Sequence, residues 1–264
     1  MLTSVLAYEK QEAVGVLTLN RPEKANAFNQ EMVDGIMDVL ERVRKDDDVR
    51  VLVVTGAGKA FCAGADVSRL QNRLQGKEEA RFRSERYESR GSFVLALTQS
   101  PRPTIAAVNG VAVGAGMSIA LACDIRIAAE TASFGSLFIR RAIPPDSGTS
   151  WLLPRLVGIS NALEMMYTGE IIDAARAKEI GLVSRVVPLG KLMEETMALA
   201  RKIAAGPAVA LDLTRRAVYR GLSNDLPAQY EYESYVQRIA SQAEDHKESI
   251  QAFFEKRPPR YTGR

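Results

Sequence analysis

Short apolar runs rich in β-branched residues recur along the first two thirds of the chain, and each predicts a strand. The run at 49–54 is apolar apart from Arg50, which is typical of a strand buried on both faces of a sheet. Residues 8–20 predict a hairpin that ends at Pro22. Further strands are predicted at 104–108, 125–128, 132–134 and 183–187.

Apolar residues at helical spacing predict several helices. The first begins after Asn29, a residue that can cap a helix, and buries Met32, Ile36, Val39, Leu40 and Val43. Helices are also predicted at 150–167 and 173–180, and the pattern is helical throughout 191–256. The sequence therefore predicts a β-rich core with a helical appendage.

Two predicted strands run directly into segments rich in glycine and alanine. Residues 56–65 follow the first strand, and residues 110–116 follow the strand at 104–108 and precede a helix at 117–122. Small side chains let backbone N–H groups approach a ligand closely, and the start of a helix adds N–H groups without partners. Two such turns brought together would form an oxyanion hole; the alternative is a pair of tight turns with no chemistry.

Charged segments separate these runs. Residues 72–89 are strongly charged with a helical pattern, and we expect them to face solvent beside the two turns. The acidic run at 46–48 is typical of a solvated turn rather than of a metal site.

Composition limits the classes of partner. The 264 residues are 46% apolar and 25% charged, with a formal net charge of +3, which is too balanced to favour nucleic acid or an anionic membrane. No apolar span is long enough to cross a membrane, and no secretory signal is recognisable. We therefore expect a cytoplasmic protein.

The residue types present argue against several kinds of chemistry. His246, the only histidine, lies in the predicted helical tail, so the core has none for a catalytic triad or a metal site. Cys62 and Cys123 lack CxxC spacing, and Lys59 precedes alanine instead of the serine or threonine of a phosphate-binding loop. Backbone N–H pairs and a carboxylate remain, and proton abstraction beside a carbonyl requires both.

Three motifs resemble those of the enoyl-CoA hydratase/isomerase (crotonase) family. They are 20–22 (NRP), 58–66 (GKAFCAGAD) and 109–116 (NGVAVGAG). The resemblance covers nearly the whole chain and implies an α/β (α+β) fold: a spiral of ββα units over 1–195 and a helical trimerisation region over 196–264. It also implies a homo-oligomer, either a trimer or a dimer of trimers.

The resemblance further implies an acyl-CoA thioester as substrate. Coenzyme A is then part of the substrate, and neither a separate cofactor nor a metal is expected. By motif position, the N–H groups of Ala65 and Ala115 hold the thioester oxygen. The implied substrate-binding positions, of which the last two reach a neighbouring subunit's CoA, are Lys24, Ala25, Ala27, Ala63, Gly64, Asp66, Val67, Leu70, Gly114, Phe138, Phe253 and Lys256.

The two catalytic glutamates of family hydratases are absent. Their positions hold Ser118 and Phe138, and neither a hydroxyl nor a phenyl ring can deprotonate a water molecule. One carboxylate, Asp146, stands in the loop 143–156 (IPPDSGTSWLLPRL). This loop resembles that of family isomerases with an acidic residue at the same place, including 1,2-epoxyphenylacetyl-CoA and Δ3,Δ2-enoyl-CoA isomerases.

Asp146 is accordingly predicted to move a proton between carbons of the acyl chain, beside the apolar side chains of Phe138 and Trp151. Four alternatives stay open. Asp146 caps a helix that begins near Ser147; it holds a water for hydration together with Ser118; or it attacks a ring as a nucleophile, as in 4-chlorobenzoyl-CoA dehalogenase. Finally, the chain binds acyl-CoA without turnover.

Overall fold

The computed structural model of the chain describes residues 4–66 and 92–264, and two sheets organise this part. In chain order the strands are β1 (Leu6–Gln11), β2 (Val14–Leu19), β3 (Val51–Gly56), β4 (Ala60–Cys62), β5 (Thr104–Val108), β6 (Val111–Val113), β7 (Ile125–Ala129), β8 (Ser133–Gly135), β9 (Ile171–Asp173) and β10 (Arg185–Val187). Three positions or segments singled out above lie outside the described residues: Val67, Leu70 and 72–89.

Helices surround these strands. In chain order they are α1 (Gln30–Lys45), α2 (Ser92–Thr98), α3 (Ala115–Ala122), α4 (Thr149–Thr168), α5 (Ala174–Glu179), α6 (Leu192–Ala204), α7 (Ala208–Gly221), α8 (Leu226–Ala240) and α9 (Glu244–Phe254). Asn29 caps α1 as predicted, with its side chain 2.9 Å from the Met32 nitrogen. Short 3₁₀ helices cover Pro22–Lys24, Leu137–Arg141 and Leu189–Lys191.

The larger sheet has the strand order β1-β2-β3-β5-β7-β10. Its first two strands form the predicted antiparallel hairpin, and all other neighbours are parallel. The smaller sheet has the order β4-β6-β8-β9 and is parallel except for its last pair. Parallel strands covered on both faces account for the uninterrupted apolar runs of the sequence.

The chain alternates between the two sheets. Strands β3, β5 and β7 lie side by side in the larger sheet, and each is followed by a strand of the smaller sheet, namely β4, β6 and β8. The next described helix after each pair is α2, α3 or α4. The chain thus advances one position in both sheets with every ββα unit, and the predicted spiral and fold class are confirmed.

Strand β3 is buried on both faces, as its apolar run predicted. Leu52 and Val54 pack into the main apolar core, whereas Val51 and Val53 pack into a second cluster on the opposite face. Helix α6 covers that second cluster with Leu192, Met197, Ala200 and Ala204. The boundary drawn at 195/196 from the sequence therefore falls inside a helix that packs on the core sheet.

Two segments predicted as loops contain strands of the smaller sheet. Strand β4 lies within 56–65 and β6 lies within 110–116, and each has only three residues. Both strands are only three residues long and lie among glycines, so the local pattern resembles a turn although valine and phenylalanine favour strands. Their pairing, in which Ala60 faces Val111, supplies the strand geometry.

A buried polar cluster ties the C-terminal helices to the core. Arg215 on α7 donates from Nε to the Asp124 carboxylate at 2.9 Å, and Asp124 also accepts from the Thr104 nitrogen at 2.8 Å. The other Arg215 nitrogens donate to the carbonyls of Thr98 and Ser100, both at 2.9 Å, where α2 ends. Because the two charged side chains are only 8% and 17% exposed, this pair holds α7 firmly against α2 and the start of β5.

Within the described part of the chain, no helix has both the length and the apolar character that crossing a membrane requires.

Replacing Arg215 by Met keeps an unbranched side chain but leaves the Asp124 carboxylate buried without its cation. We expect the free energy of unfolding to fall by about 3 kcal/mol, measured by chemical denaturation at one fixed protein concentration. The matched control is Arg216→Met, because Arg216 is 56% exposed in its pair with Asp212. That exposed pair contributes at most about 1 kcal/mol, so equal losses in both variants would contradict the assignment.

Candidate active site

The structure brings the two predicted turns together. Strands β4 and β6 pair in parallel, so the segments that leave them run side by side. A β-carbon placed on Gly64 would lie 2.9 Å from the Val113 carbonyl oxygen and 3.4 Å from the Ala115 nitrogen. The φ of Gly64 is +85°, a region that favours glycine, so both its conformation and this close approach require a residue without a side chain.

Ala65, the residue after Gly64, points its own N–H and C=O away from the segment around Phe28. Phe28 donates to the Gly64 carbonyl at 2.7 Å and accepts from the Asp66 nitrogen at 3.1 Å, which is a parallel bridge centred on Ala65. In such a bridge the central residue's N–H and C=O point to the opposite side. Ala65 is exposed, and its N–H has no acceptor among residues 4–66 and 92–264.

A second N–H comes from the first residue of α3. Ala115 follows Gly114, whose own nitrogen donates to the Gly135 carbonyl at 2.9 Å. Ala115 is the first helical residue, so its N–H has no acceptor inside the helix. No other described residue accepts a backbone hydrogen bond from it. Two adjacent N–H groups and the positive end of a helix dipole form a site suited to an oxygen that carries negative charge.

Helix α3 reaches this position because its second residue is glycine. A β-carbon on Gly116 would lie 2.1 Å from the Cys62 carbonyl oxygen, so the helix packs directly on the backbone of β4. Cys62 lies entirely in the interior, and burial raises the pKa of its thiol to about 12. The thiol is therefore protonated at neutral pH and packs as a small apolar group.

Two asparagine side chains hold the first turn. Asn26, fully buried, donates from Nδ2 to the carbonyls of Ala57 at 2.9 Å and Ala60 at 2.8 Å. Asn109 donates to the Gly58 carbonyl at 3.0 Å and accepts from the Gly56 nitrogen at 3.1 Å. These amides satisfy backbone groups of an irregular loop, and the sequence reasoning did not identify their role.

The loop that precedes α1 lies against the first turn. Ala63 donates to the Ala25 carbonyl at 2.9 Å, which brings exposed Lys24 and buried Ala27 near it. Arg21 pairs with the Asp66 carboxylate at 2.9 Å. The Arg21 and Asp66 side chains are only 12% and 9% exposed. Their ion pair is therefore an interior contact between the loop that precedes α1 and the first turn.

The positions of the two missing glutamates are both buried. Ser118 on α3 has no exposed surface, and its hydroxyl oxygen lies 2.7 Å from Thr149 Oγ1. Phe138 is 8% exposed. A water shared by Ser118 and Asp146 would require an accessible serine hydroxyl, so this geometry disfavours that form of the hydration alternative.

Asp146 lies on an exposed loop that precedes α4. The helix begins at Thr149 with Gly148 as its N-cap, and no side chain caps it, so the capping alternative for Asp146 is wrong. The Asp146 carboxylate accepts from Ser147 Oγ at 2.9 Å. Its backbone carbonyl accepts from the Thr149 nitrogen at 3.0 Å, which fixes the loop at the start of α4.

Asp146 is less enclosed than the sequence led us to expect. Phe138 is buried, but Trp151 is 42% exposed, with the Arg155 guanidinium 4.0 Å from the centre of its ring. Asp146 itself is exposed, so the apolar setting predicted from these two rings is not formed within the described chain.

Two predicted positions lie away from the turns. Phe253 and Lys256 are exposed at the end of α9, where the Phe253 and Phe254 ring centroids are 5.8 Å apart. No hydrogen bond joins them to the two turns among the residues that the structure covers. His246 is also on α9, as the sequence predicted, and the described residues contain no group of three or more side chains able to hold a metal ion.

Comparison with known proteins shows the family of the chain. The model of the enoyl-CoA hydratase/isomerase family matches residues 9–264. A Rhodobacter capsulatus protein named probable enoyl-CoA hydratase is 40% identical over 259 residues, which cover 98% of this chain and 98% of that protein. The 1,2-epoxyphenylacetyl-CoA isomerase of Escherichia coli K12 is 38% identical over 255 residues, covering 96% and 97%.

A solved structure agrees as well. The crystal structure of an enoyl-CoA hydratase from Bacillus anthracis matches with a TM-score of 0.90 and 35% identity, covering 98% of this chain and 100% of that chain. The fold is thus that of the crotonase enzymes. The chain belongs to the enoyl-CoA hydratase/isomerase family, as its motifs predicted, and its named relatives include both hydratases and isomerases.

Replacing Gly116 by Ala should push α3 away from β4, because the new methyl would lie 2.1 Å from the Cys62 carbonyl oxygen. We expect a loss of about 1–3 kcal/mol in the free energy of unfolding, measured by chemical denaturation. Gly190→Ala is the matched control, since its methyl would meet no atom within 4 Å. If the two variants were equally stable, the direct packing of α3 on β4 would be refuted.

Proposed function

We propose that this chain is an acyl-CoA isomerase that moves a double bond through a thioester enolate. Asp146 takes a proton from a carbon of the acyl chain, and the electron pair moves onto the thioester oxygen. The N–H groups of Ala65 and Ala115 hold that oxygen while it is negatively charged. Asp146 then returns the proton to a different carbon, so the reaction consumes nothing and shifts one bond.

The observation that carries this proposal is that Asp146 offers an accessible carboxylate, whereas the two hydratase glutamate positions offer none. The two hydratase glutamate positions hold buried Ser118 and Phe138, and the Ser118 hydroxyl is already engaged by Thr149. Asp146 is exposed on the loop next to α3 and α4, and its carboxylate accepts one hydrogen bond within the described chain, from Ser147. Among Ser118, Phe138 and Asp146, which all lie within 4–66 and 92–264, one side chain is an accessible carboxylate, and this suits reversible proton transfer better than the two-carboxylate activation of water.

The relatives support an acyl-CoA thioester as substrate. The 38% identical Escherichia coli protein is named as an isomerase of such a thioester. Coenzyme A then enters as part of the substrate, and the proposed steps need only a base and two N–H donors. We accordingly propose that the enzyme uses no separate cofactor.

Hydration is the second candidate, because the 40% identical relative is named as an enoyl-CoA hydratase. In this reaction Asp146 would hold and deprotonate a water that adds to the double bond. The two reactions differ in the atoms that they transfer, since hydration incorporates solvent oxygen and isomerisation exchanges only hydrogen.

The test is to incubate the enzyme with a 2-enoyl-CoA and a 3-enoyl-CoA in deuterated water, and separately in ¹⁸O-labelled water. Mass spectrometry and absorbance then follow deuterium, oxygen and the position of the double bond. We expect deuterium exchange and bond migration without incorporation of ¹⁸O. Oxygen incorporation at comparable rates would replace this proposal with hydration, and binding without any exchange would leave an acyl-CoA binder.

Asp146→Asn should lower the isomerisation kcat by about 100- to 10,000-fold, because an amide cannot accept the proton. The dissociation constant of the thioester, measured by calorimetry, should change by less than threefold. Glu130→Gln is the matched control, since Glu130 is an exposed carboxylate at the end of β7. Undiminished turnover in Asp146→Asn would exclude Asp146 as the base.

We also propose that the chain assembles as a trimer or a dimer of trimers. The support is a set of large apolar side chains that stay exposed on α4 and on the last two helices, at exposures from 69% to 79%: Ile159, Tyr167, Leu226, Tyr230, Phe253 and Phe254. Exposed apolar groups of this size mark protein interfaces when they cluster on a surface. Phe253 and Lys256 would then reach the CoA of a neighbouring subunit.

Light scattering coupled to size exclusion should give three or six times the mass of one chain. The double variant Phe253→Ser/Phe254→Ser should shift the distribution toward smaller species, since it removes two exposed rings from the proposed interface. A matched double variant, Glu231→Ser/Gln237→Ser, changes exposed polar residues on α8 and should leave the mass unchanged. A monomeric unmodified chain at micromolar concentration would contradict the proposed assembly.

A further inference from the structure

Ser118 and Thr149 form a hydroxyl pair that the proposed mechanism does not use directly. Both side chains have no exposed surface, and their oxygens are 2.7 Å apart. Ser118 lies on α3, whose first residue, Ala115, supplies one of the proposed N–H donors, whereas Thr149 begins α4. The pair is therefore a direct polar link between the helix of the oxyanion donor and the helix that follows Asp146.

The hydrogen atoms can be assigned from the surrounding acceptors. Ser118 Oγ is 3.3 Å from the Gly114 carbonyl, which can only accept, so the serine O–H donates there. The serine oxygen then accepts from the Thr149 O–H at 2.7 Å. The Thr149 nitrogen in turn donates to the Asp146 carbonyl at 3.0 Å. A continuous chain of three hydrogen bonds thus joins Gly114, the residue before Ala115, to Asp146.

Other restraints on the Asp146 loop are weak. No side chain caps α4, and the backbone at both Ser147 and Gly148 has positive φ, at 51° and 74°. A β-carbon on Gly148 would lie 3.6 Å from side-chain atoms of Val94 and of Leu152, which is ordinary packing. Among the contacts that the structure describes, the hydroxyl pair is the polar link that ties this loop to α3.

We propose that Ser118 and Thr149 are positioning residues that set Asp146 relative to the Ala115 N–H. This inference rests on the proposed function, in which the oxyanion donor and the proton-transferring carboxylate act on the same substrate at once. Ser118, which stands at a hydratase glutamate position, then holds the Asp146 carboxylate in place. It does not supply a carboxylate itself.

The distance between base and donors matters because proton transfer requires near-contact geometry. A displacement of about 1 Å in such a site lowers turnover by up to about 100-fold. Thr149→Val removes the hydroxyl with almost no change of shape, so it breaks the link without opening a cavity. We expect kcat to fall about tenfold while KM changes less than twofold, since both hydroxyls are buried.

Three further variants separate positioning from simple stabilisation. Thr149→Ser keeps the hydroxyl and should restore most of kcat. Ser118→Ala/Thr149→Val removes both hydroxyls, and stability should recover relative to Ser118→Ala, which leaves the buried Thr149 O–H without its acceptor. Its kcat should nevertheless stay low. Thr168→Val removes a hydroxyl at the far end of the same helix, where Thr168 Oγ1 donates to the Glu164 carbonyl at 2.8 Å, and is the matched control.

The outcomes distinguish this inference from the proposed function. A Thr149→Val enzyme with kcat within twofold of the unmodified enzyme overturns it, and so does a loss of kcat that Thr149→Ser does not restore. If the unmodified enzyme hydrates instead of isomerising, the proposed function fails, but the same comparison is made on the hydration kcat. If there is no turnover, amide hydrogen exchange of residues 143–152 decides, because unchanged protection in Thr149→Val overturns the inference.

Discussion

The contact between the backbone of β4 and the start of α3 is the constraint on which the rest of the site depends. Gly116 lies so close to the Cys62 carbonyl oxygen that a β-carbon there would be only 2.1 Å away. The parallel pairing of β4 with β6 sets the direction of both segments at this point. As a result, the backbone at Gly64 lies against Ala115, although 49 residues separate Ala65 from Ala115 in the chain. Any side chain on Gly116 would displace one donor from the other.

Polar side chains satisfy the backbone groups that strand pairing leaves without partners. The first turn is too irregular to satisfy its backbone by pairing, so the buried amides of Asn26 and Asn109 take that role. Farther away, Arg215 and Asp124 fasten the C-terminal helices to the end of α2. Both arrangements are buried and satisfied, and such networks fix one geometry more firmly than apolar packing alone. The result is a hydrogen-bonded frame around Ala65, which is exposed, and Ala115, which is half-buried.

The second half of the site is built differently. The loop that carries Asp146 has no helix-capping side chain and is more exposed than the two turns. Its polar connection to α3 passes through Thr149 and Ser118, at the place where related hydratases would have a catalytic glutamate. Under the proposed isomerase chemistry, the buried serine at that position anchors the loop that supplies the carboxylate.

By itself, the sequence determined the local elements, the family and the residues available for chemistry. Strands such as β3 and β5, and the capped helix α1, follow from runs and spacings of apolar side chains that act over a few residues. The tertiary structure alone decided the smaller sheet, because β4 and β6 each have three residues whose strand geometry comes from a partner about 50 residues away. It also decided that Ser118 is buried against Thr149 and that Asp146 does not cap α4. Those facts depend on which helices meet, and no local pattern specifies that.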